Sequence, residues 1–233
     1  MSLSFDRFRL AASTADLSEE PLARDSADCV EFRMDLADEP LAELESYDGE
    51  LPILATNRAE WEGGEATDDG RLDALETALV HDAVGAIDVE LAALDHDGPG
   101  ETARANALLD AATAAGVVVV VSTHDFGATP PKPALRDRLR RASEHGDVGK
   151  IAVTATDRSD ALAVLSVTHE LTAAGLDVAT MAMGAAGSHT RAVAPVYGSK
   201  IGYAPVDPAH ATAPGQYDLE TLRTLVDRLS AAE

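Results

Sequence analysis

The amino-acid sequence predicts an α/β fold, a closed (β/α)8 barrel of the TIM type. Three observations support this prediction: eight short β-rich runs, helical stretches between them, and a chain of 233 residues. Alternation of strand and helix indicates a parallel sheet, because each helix returns the chain to the end at which the next strand begins. Eight such units in a chain of this length favour a barrel, and an open doubly wound sheet is the alternative.

The predicted strands are short and mostly apolar, as strands covered on both faces require. They cover residues 8–13, 29–36, 52–58, 86–91, 117–124, 150–155, 177–183 and 200–204. Segments rich in Ala, Leu, Asp and Glu show helical spacing of apolar positions, and these cover residues 73–81, 101–115, 133–144 and 158–174. No repeat, low-complexity tract or break in composition divides the sequence, so residues 1–233 are expected to form a single domain.

The charge of the chain is strongly negative. Forty-one acidic and eighteen basic side chains give a formal net charge of -23, which disfavours nucleic acid and anionic membranes as partners. The carboxylates are spread between apolar segments, which favours a salt-adapted surface over a disordered acidic tail. We therefore expect the fold to lose stability as salt is removed, since salt screens the repulsion between carboxylates.

A single cysteine, Cys29, excludes an intramolecular disulfide and a cysteine-based zinc site. It lies in a strand-like run, so a buried thiol in a reducing compartment is expected. The N-terminus has no basic flank followed by an apolar core, and no run approaches the roughly eighteen apolar residues of a membrane helix. The expected location is therefore the cytoplasm.

Lys150 is one of only three lysines and lies in the apolar run 149–153, which is typical of a buried strand. Removing an ammonium group from water favours the neutral amine, a nucleophile that can attack a carbonyl carbon and form a Schiff base. The alternative is that Lys150 ends a strand and extends its amine to solvent.

The second predicted strand carries charges on one face. Glu31, Arg33 and Asp35 alternate with two apolar residues, so the three charged side chains point the same way. In a barrel this face points inward, where an unpaired charge costs several kcal/mol. The three side chains are therefore expected to pair with each other or with a polar ligand; a solvated face on an open antiparallel sheet is the alternative.

Polar side chains also lie near the ends of the next three predicted strands. They are Thr56 and Arg58, Asp88 and Glu90, and the run 122–126 with His124. Barrel active sites lie where the carboxyl ends of the strands meet, so a polar ligand explains these side chains better than core packing does. His124 is suited to acid/base chemistry because its charge changes near neutral pH.

A set of short motifs resembles the type I 3-dehydroquinate dehydratase family, the Schiff-base enzymes of the shikimate pathway. The likeness spans nearly the whole chain. The motifs are EFRMD at 31–35, Arg58 followed by EGG at 62–64, HDF at 124–126, KIAV at 150–153, MAMG at 181–184, Arg191, YGS at 197–199 and APGQ at 213–216. Each motif alone is weakly specific, but their order and spacing together are highly specific.

The resemblance implies chemical roles for three side chains. Lys150 would condense with the C3 ketone of 3-dehydroquinate, and the protonated imine would make the C2 proton acidic. His124 would remove that proton and then protonate the departing C1 hydroxyl, while Glu62 would orient and polarise the imidazole. The product would be 3-dehydroshikimate, in the third step of the pathway to the aromatic amino acids. Neither a metal nor an organic cofactor would be needed.

The resemblance also implies how the substrate is held. Arg191 would bind the substrate carboxylate through a planar, bidentate contact. The positions implied for the hydroxyl groups are Glu31, Arg33, Arg58 and Gln216, while Thr212, also in the substrate site, stands where the family is expected to have serine. Met183 and Phe126 are expected as apolar walls and residues 213–216 as a closing loop. Likeness to the family also makes a homodimer the expected assembly.

Two other functions remain open. A class I aldolase-like barrel would also use an imine-forming lysine, but it gives no reason for the motif at 62–64 or for Gln216. A ligand sensor built on the same barrel would bind the acid without converting it. The joint presence of Lys150, His124 and Glu62 argues against the sensor.

Two further features of the sequence could suggest a metal-binding or catalytic role, but both are expected to be structural. Residues 95–97 read Asp-His-Asp, as a metal site could, but the Gly-Pro-Gly that follows favours an exposed acidic loop. His189 lies close to Arg191 in sequence, yet no motif requires it, so a helix cap or a surface position is expected.

Overall fold

The structure, a computed structural model, describes residues 3–95, 102–207, 209 and 215–230. Eight strands alternate with helices, as predicted. The strands are β1 (Arg9–Thr14), β2 (Cys29–Arg33), β3 (Ile53–Thr56), β4 (Val84–Glu90), β5 (Val118–Asp125), β6 (Val148–Thr154), β7 (Val178–Met183) and β8 (Ile201–Pro205). Every predicted strand overlaps an observed one.

All the strand pairs are parallel, and their order is β7-β6-β5-β4-β3-β2-β1-β8. The two edges of this sheet meet through hydrogen bonds beside β7. The backbone N–H of Lys200 donates to the carbonyl oxygen of Val178 at 2.7 Å, and that of Thr180 donates to Oγ of Ser199 at 3.0 Å. The sheet therefore forms a nearly closed barrel, which confirms the predicted (β/α)8 class and excludes the open sheet.

Helices follow the strands around the outside of the barrel. They are α1 (Pro40–Ser46), α2 (Arg71–Ala78), α3 (Leu91–Leu94), α4 (Thr102–Ala115), α5 (Lys132–His145), α6 (Arg158–Ala173), α7 (Thr190–Val193) and α8 (Leu219–Ser230), with 3-10 turns η1 (Leu17–Leu22), η2 (Glu60–Glu62) and η3 (Ala194–Tyr197). Of the helices that the structure describes, none is both long and apolar enough to cross a membrane.

Local sequence explains where the longest helix begins and which face it buries. Asp157 caps α6: its carboxylate accepts the backbone N–H groups of Ser159 and Asp160, and the Asp160 side chain accepts the N–H of Asp157 in return. This reciprocal arrangement satisfies N–H groups that have no partner within the helix. Residues at helical spacing then pack against the barrel, among them Val164, Val167 and Leu171.

The core has two layers, one between the sheet and the helices and one inside the barrel. The inner layer contains small and apolar side chains from all eight strands, including Cys29, which is fully buried as predicted. Leu3 and Phe5 precede β1 and pack into the same interior cluster. Since β1 begins just after them, they fill the amino-terminal end of the barrel and leave the carboxyl ends of the strands for a site.

Two strands are each three residues shorter than predicted. β2 ends at Arg33 rather than residue 36, because the Leu36 N–H turns back to the Arg33 carbonyl oxygen at 3.0 Å. Asp35 therefore lies beyond the strand, although its carboxylate still pairs with Arg33. β3 ends at Thr56, so Arg58 lies in the loop that follows and reaches back over the barrel.

Candidate active site

A cavity lies at the carboxyl ends of the strands, where barrel active sites are found. Eight of the nine side chains predicted from the sequence line it. They are Lys150, His124, Glu62, Glu31, Arg33, Arg58, Arg191 and Gln216. The ninth, Thr212, lies outside the described residues, as do residues 213 and 214 of the predicted closing loop. Met183 and Phe126 also line the cavity, as expected of its apolar walls.

Lys150 extends from the middle of β6 into the barrel and is only 4% exposed. Its Nζ lies 2.9 Å from Oδ2 of Asp88 and 3.8 Å from Oε1 of Glu31. The reading in which the amine reaches bulk solvent is therefore wrong. Two carboxylates from other strands lie beside the amine, so it is paired inside the barrel.

His124 projects from β5 and is bound to Glu62 in two ways. Nδ1 of the imidazole lies 2.8 Å from Oε2 of Glu62, and the backbone N–H of His124 donates to the same oxygen at 2.9 Å. An ionised carboxylate can only accept hydrogen bonds, so with Glu62 ionised the proton of the neutral imidazole lies on Nδ1. Nε2 is then the ring nitrogen able to accept a proton from a ligand.

Burial governs the acid/base state of this pair. Burial, with the nearby cations of Arg58 and Lys150, lowers the pKa of His124 well below 6.5. Burial also raises the pKa of Glu62 to about 7, against the lowering effect of Arg58. The imidazole is therefore neutral at neutral pH, as a general base must be.

A tight loop after β3 holds Glu62 in place. The loop closes on itself through two backbone hydrogen bonds: the N–H of Ala66 donates to the Arg58 carbonyl oxygen at 3.0 Å, and the N–H of Glu60 donates to the Ala66 carbonyl oxygen at 3.0 Å. Gly63 ends η2 with φ at +80°, and a Cβ there would lie 2.5 Å from the ring of Phe126. That ring stacks on His124, with centroids 5.9 Å apart and planes 11° apart. The Gly-Gly of the motif at 62–64 is therefore needed for this close packing; a Cβ on Gly64 would lie 2.1 Å from the Arg58 carbonyl oxygen.

Arg191, on α7, is a buried cation at the cavity wall. It is 4% exposed, and its Nε and Nη2 atoms have no hydrogen-bond partner within the described part of the chain. Burial lowers its pKa to about 10, which leaves the guanidinium charged at neutral pH. A buried charge of this kind requires a counter-charge, so the side chain is suited to an anionic ligand.

Arg58 belongs to a buried ion-pair network beneath the cavity. Its guanidinium contacts Asp88 at 2.8 Å and Glu90 at 3.1 Å, and donates to Oγ of Ser122 at 2.7 Å. Glu90 in turn pairs with Arg71 at 2.6 Å. Asp88 and Glu90 are thus paired with buried cations inside the barrel, and neither is among the described residues that line the cavity, so a polar ligand is not needed to explain them.

The two remaining predicted side chains on β2 also have partners. Glu31 accepts hydrogen bonds from Ser13 at 2.5 Å and from Thr56 at 3.3 Å. Arg33 makes a bidentate pair with Asp35 at 2.6 and 2.8 Å. Both residues still line the cavity.

Two side chains in contact with the lysine were not predicted as site residues. Asp88 was recognised only as an inward charge, and Tyr203 on β8 was not singled out, although its ring lies 4.2 Å from Nζ of Lys150. Alternation along β8 could have placed Tyr203 inside the barrel, but it does not show at which level along the barrel axis Tyr203 lies relative to Lys150.

Of the residues that the structure describes, no three or more His, Cys, Asp and Glu are grouped to hold a metal ion. The predicted acidic loop lies mostly outside them, since residues 96–101 are not described.

The fold and the site together define a class: a (β/α)8 barrel whose interior presents a buried lysine, a carboxylate-bound histidine and a guanidinium that makes no ion pair with the described residues. Comparison with known proteins gives the family. A family profile described as "Type I 3-dehydroquinase" matches residues 11–232. The chain therefore belongs to the type I 3-dehydroquinase family and is an enzyme of that family.

Individual relatives agree with this assignment. The 3-dehydroquinate dehydratase of the haloarchaeon Haloarcula marismortui is 63% identical over 230 residues, which cover 98% of this chain and 99% of the relative. The crystal structure of 3-dehydroquinate dehydratase from Geobacillus kaustophilus superposes with a TM-score of 0.84 at 28% identity, covering 97% of this chain and 92% of that one. The type I enzyme from Clostridium difficile, solved with covalently modified comenic acid, has a TM-score of 0.80 at 26% identity, covering 97% and 94%.

Proposed function

We propose that this protein dehydrates 3-dehydroquinate to 3-dehydroshikimate through a Schiff base on Lys150, the third step of the shikimate pathway. One observation carries the proposal. Lys150 and His124 lie on neighbouring strands and line the same cavity as Arg191, whose Nε and Nη2 have no hydrogen-bond partner among the described residues. A nucleophile, a base and an anion site thus surround one small volume.

Lys150 forms the covalent bond to the substrate. Its nitrogen attacks the C3 carbonyl carbon, and the carbonyl oxygen leaves as water to give a protonated imine. The imine draws electrons from C2 and makes its proton acidic. The type I enzyme from Clostridium difficile was solved with a covalently modified acid, which supports covalent chemistry in this family's cavity.

His124 carries the proton from C2 to the leaving group. Nε2 accepts the C2 proton, because Nδ1 is held by Glu62. The imidazolium is stabilised by the Glu62 carboxylate and then protonates the C1 hydroxyl, which leaves as water. Hydrolysis of the imine releases the product and restores the lysine.

Arg191 binds the substrate carboxylate through its guanidinium, whose Nε and Nη2 have no hydrogen-bond partner among the described residues. Glu31, Arg33 and Gln216 contact the hydroxyl groups from the cavity wall, and Thr212 is assigned to substrate binding with them. We assign Arg58 a smaller share in binding than the sequence alone indicated, because its nitrogen atoms are already engaged by Asp88, Glu90 and Ser122.

The proposal also covers the domain organisation, the cofactor requirement, the location and the assembly of the protein. Residues 1–233 act as one catalytic domain, without metal or organic cofactor, in the cytoplasm and as a homodimer. The acidic composition and the likeness to the Haloarcula marismortui protein support a salt-adapted enzyme of aromatic amino acid biosynthesis.

Reduction with borohydride tests the proposal directly. Sodium borohydride added with 3-dehydroquinate should reduce the imine and leave a stable adduct on Lys150, located by mass spectrometry of the digested protein. Without borohydride, the ultraviolet absorbance of the conjugated product should rise. A ligand sensor would give neither signal, and an aldolase would give an adduct without the absorbance.

Two variants assign the roles. Lys150→Ala should abolish the adduct and lower turnover by several orders of magnitude. His124→Ala should lower turnover by about 10²–10⁴-fold while the adduct still forms. Turnover at the level of the unmodified protein in either variant would remove the role given to that residue.

A further inference from the structure

The amine of Lys150 is held between a carboxylate and an aromatic face. Nζ lies 2.9 Å from Oδ2 of Asp88, on β4, and 4.2 Å from the ring centroid of Tyr203, on β8. A carboxylate and the face of an aromatic ring both attract positive charge. The site is therefore built to hold a cation at this nitrogen.

Asp88 is fixed by its own partners and is fully buried. Oγ of Ser122 donates to its Oδ1 at 2.6 Å, and the guanidinium of Arg58 lies 2.8 Å from the same atom. Burial alone would raise the pKa of Asp88, but Arg58 and Lys150 hold it well below its usual range. Asp88 is therefore a permanent anion and a poor acceptor for a proton from the lysine.

Glu31 is the other carboxylate near Lys150, and it fits the role of counter-ion less well. Its closest oxygen is 3.8 Å from Nζ, and both its oxygens accept hydrogen bonds from hydroxyl groups. Glu31 also lines the cavity, whereas Asp88 is not among the described residues that do. Asp88 therefore contacts the lysine without facing the ligand.

Tyr203 acts through its ring rather than its hydroxyl group. The hydroxyl is buried and has no hydrogen-bond partner in the part of the chain that the structure describes. Burial, with the nearby carboxylates of Glu31 and Asp88, raises its pKa well above the usual range. Among the described residues the hydroxyl thus has no partner with which to exchange a proton, while the ring lies beside Nζ and lines the cavity.

We propose that Asp88 and the ring of Tyr203 are positioning groups that hold the positive charge of the imine formed at Lys150. This inference rests on the proposed Schiff-base function. The inference assigns the ion pair between Asp88 and Lys150 a role in the reaction, because only a protonated imine withdraws electrons strongly enough to acidify C2.

The stoichiometry of the condensation supports this role. An ammonium group and a ketone combine into a protonated imine and one molecule of water, with no proton gained or lost overall. The nitrogen is positively charged before and after the step, so one fixed anion matches both states. Before the attack on the ketone, the ammonium group must give one proton to another group or to water. The neutral amine that results no longer carries the positive charge that the fixed anion balances.

The first test is the Asp88→Asn variant, which removes the charge and keeps the size. The charged and titratable side chains that face the nitrogen of Lys150 in this region are Glu31, Arg58, Asp88, His124 and Tyr203. The variant changes only Asp88. Trapping by borohydride requires the protonated imine. The pH above which trapping declines should therefore fall by about 1–3 units, as expected for loss of an opposite charge within contact distance. The kcat should fall about tenfold or more, while KM changes by less than about threefold because Asp88 does not face the ligand.

The second test compares two changes at Tyr203. Tyr203→Leu removes the ring and should lower the pH at which trapping declines, in the same direction as Asp88→Asn. Tyr203→Phe keeps the ring and should trap with the same pH dependence as the unmodified protein. This pair remains decisive if Asp88→Asn does not fold, which a thermal melt would reveal.

The outcomes separate this inference from the function on which it rests. No adduct in the unmodified protein would overturn the proposed Schiff-base function. An adduct in the unmodified protein, with the same pH dependence in Asp88→Asn, would overturn the role of Asp88 alone. Equal behaviour of Tyr203→Leu and Tyr203→Phe would overturn the role of the ring.

Discussion

Oε2 of Glu62 contacts His124 at two points: it accepts a hydrogen bond from the backbone N–H at 2.9 Å, and it lies 2.8 Å from Nδ1 of the imidazole. The two contacts fix the plane of the imidazole as well as its tautomer, because one oxygen is bound at two points of the same residue. Glu62 comes from the loop after β3 and His124 from β5, so this arrangement depends on the parallel order of β3, β4 and β5 in the sheet.

Glu62→Gln should lower kcat by about 10²-fold or more. The amide can donate to Nδ1 and favour the tautomer in which the proton sits on Nε2, where the base must accept one. Steady-state kinetics and the NMR chemical shifts of the His124 ring would show both effects. Glu60→Gln is the control, because Glu60 is exposed on the same 3-10 turn; equal losses in both variants would contradict the special role of Glu62.

The pH dependence of kcat/KM should show an acid limb near pH 7. Burial raises the pKa of Glu62 to about 7 and lowers that of His124. Above this pH the pair holds a carboxylate and a neutral imidazole; as the pH falls through 7 the pair takes up one proton and the base is lost. The residual activity of Glu62→Gln should lack this limb. A limb at the same pH in that variant would assign it to another group.

Gly63→Ala should lower both stability and kcat. Its φ of +80° costs an alanine about 1–2 kcal/mol, and the new Cβ would also displace the Phe126 ring from His124. Gly175→Ala is the matched control, since Gly175 has φ of +85° and open space around it. Thermal melts should show the backbone cost in both variants, while only Gly63→Ala loses activity. Unchanged kcat in Gly63→Ala would show that the Phe126 contact does not position the imidazole.

Arg191→Met should stabilise the fold by about 1–2 kcal/mol and abolish binding of the substrate carboxylate. The buried guanidinium has nitrogen atoms without partners in the described ranges, and burial lowers its pKa to about 10, so its charge opposes folding until an anion binds. Denaturant unfolding with and without the product acid would measure both effects. We expect the acid to stabilise the unmodified protein but not the variant. Destabilisation of the variant without ligand would show that the charge is already compensated.

Removal of salt should lower the melting temperature. The formal net charge of -23 gives a repulsion between surface carboxylates that salt screens. Calorimetry in dilute buffer and in multimolar KCl would measure it. Equal melting temperatures in the two solutions would contradict the salt-adapted surface.

Most of the fold could be predicted because it follows from local patterns. Apolar runs and helical spacing locate each element, and the number of units favours a barrel. The ends of β2 and β3 were misplaced because the residues up to 36 and 58 keep a strand-like pattern, while the chain turns at Arg33 and Thr56. A local pattern does not show where hydrogen bonding to the next strand stops.

The candidate site was predicted in part for the same reason. Alternation within a strand shows that Glu31, Asp88 and Lys150 point inward, and the motifs select Lys150, His124 and Glu62. The pairing of Lys150 with Asp88 and its place beside Tyr203 could not be predicted. Both depend on how far neighbouring strands are staggered around the barrel.

The sequence by itself determined which residues form strands, which side chains face the interior, and which motifs carry the family. The tertiary structure decided which charges meet: Asp88 pairs with Lys150 and Arg58 with Glu90, while Arg191 makes no ion pair with the described residues. The physical reason is the range of the interactions. Side-chain direction is set within a few residues by the backbone, whereas electrostatic pairing depends on distances between strands that are far apart in sequence.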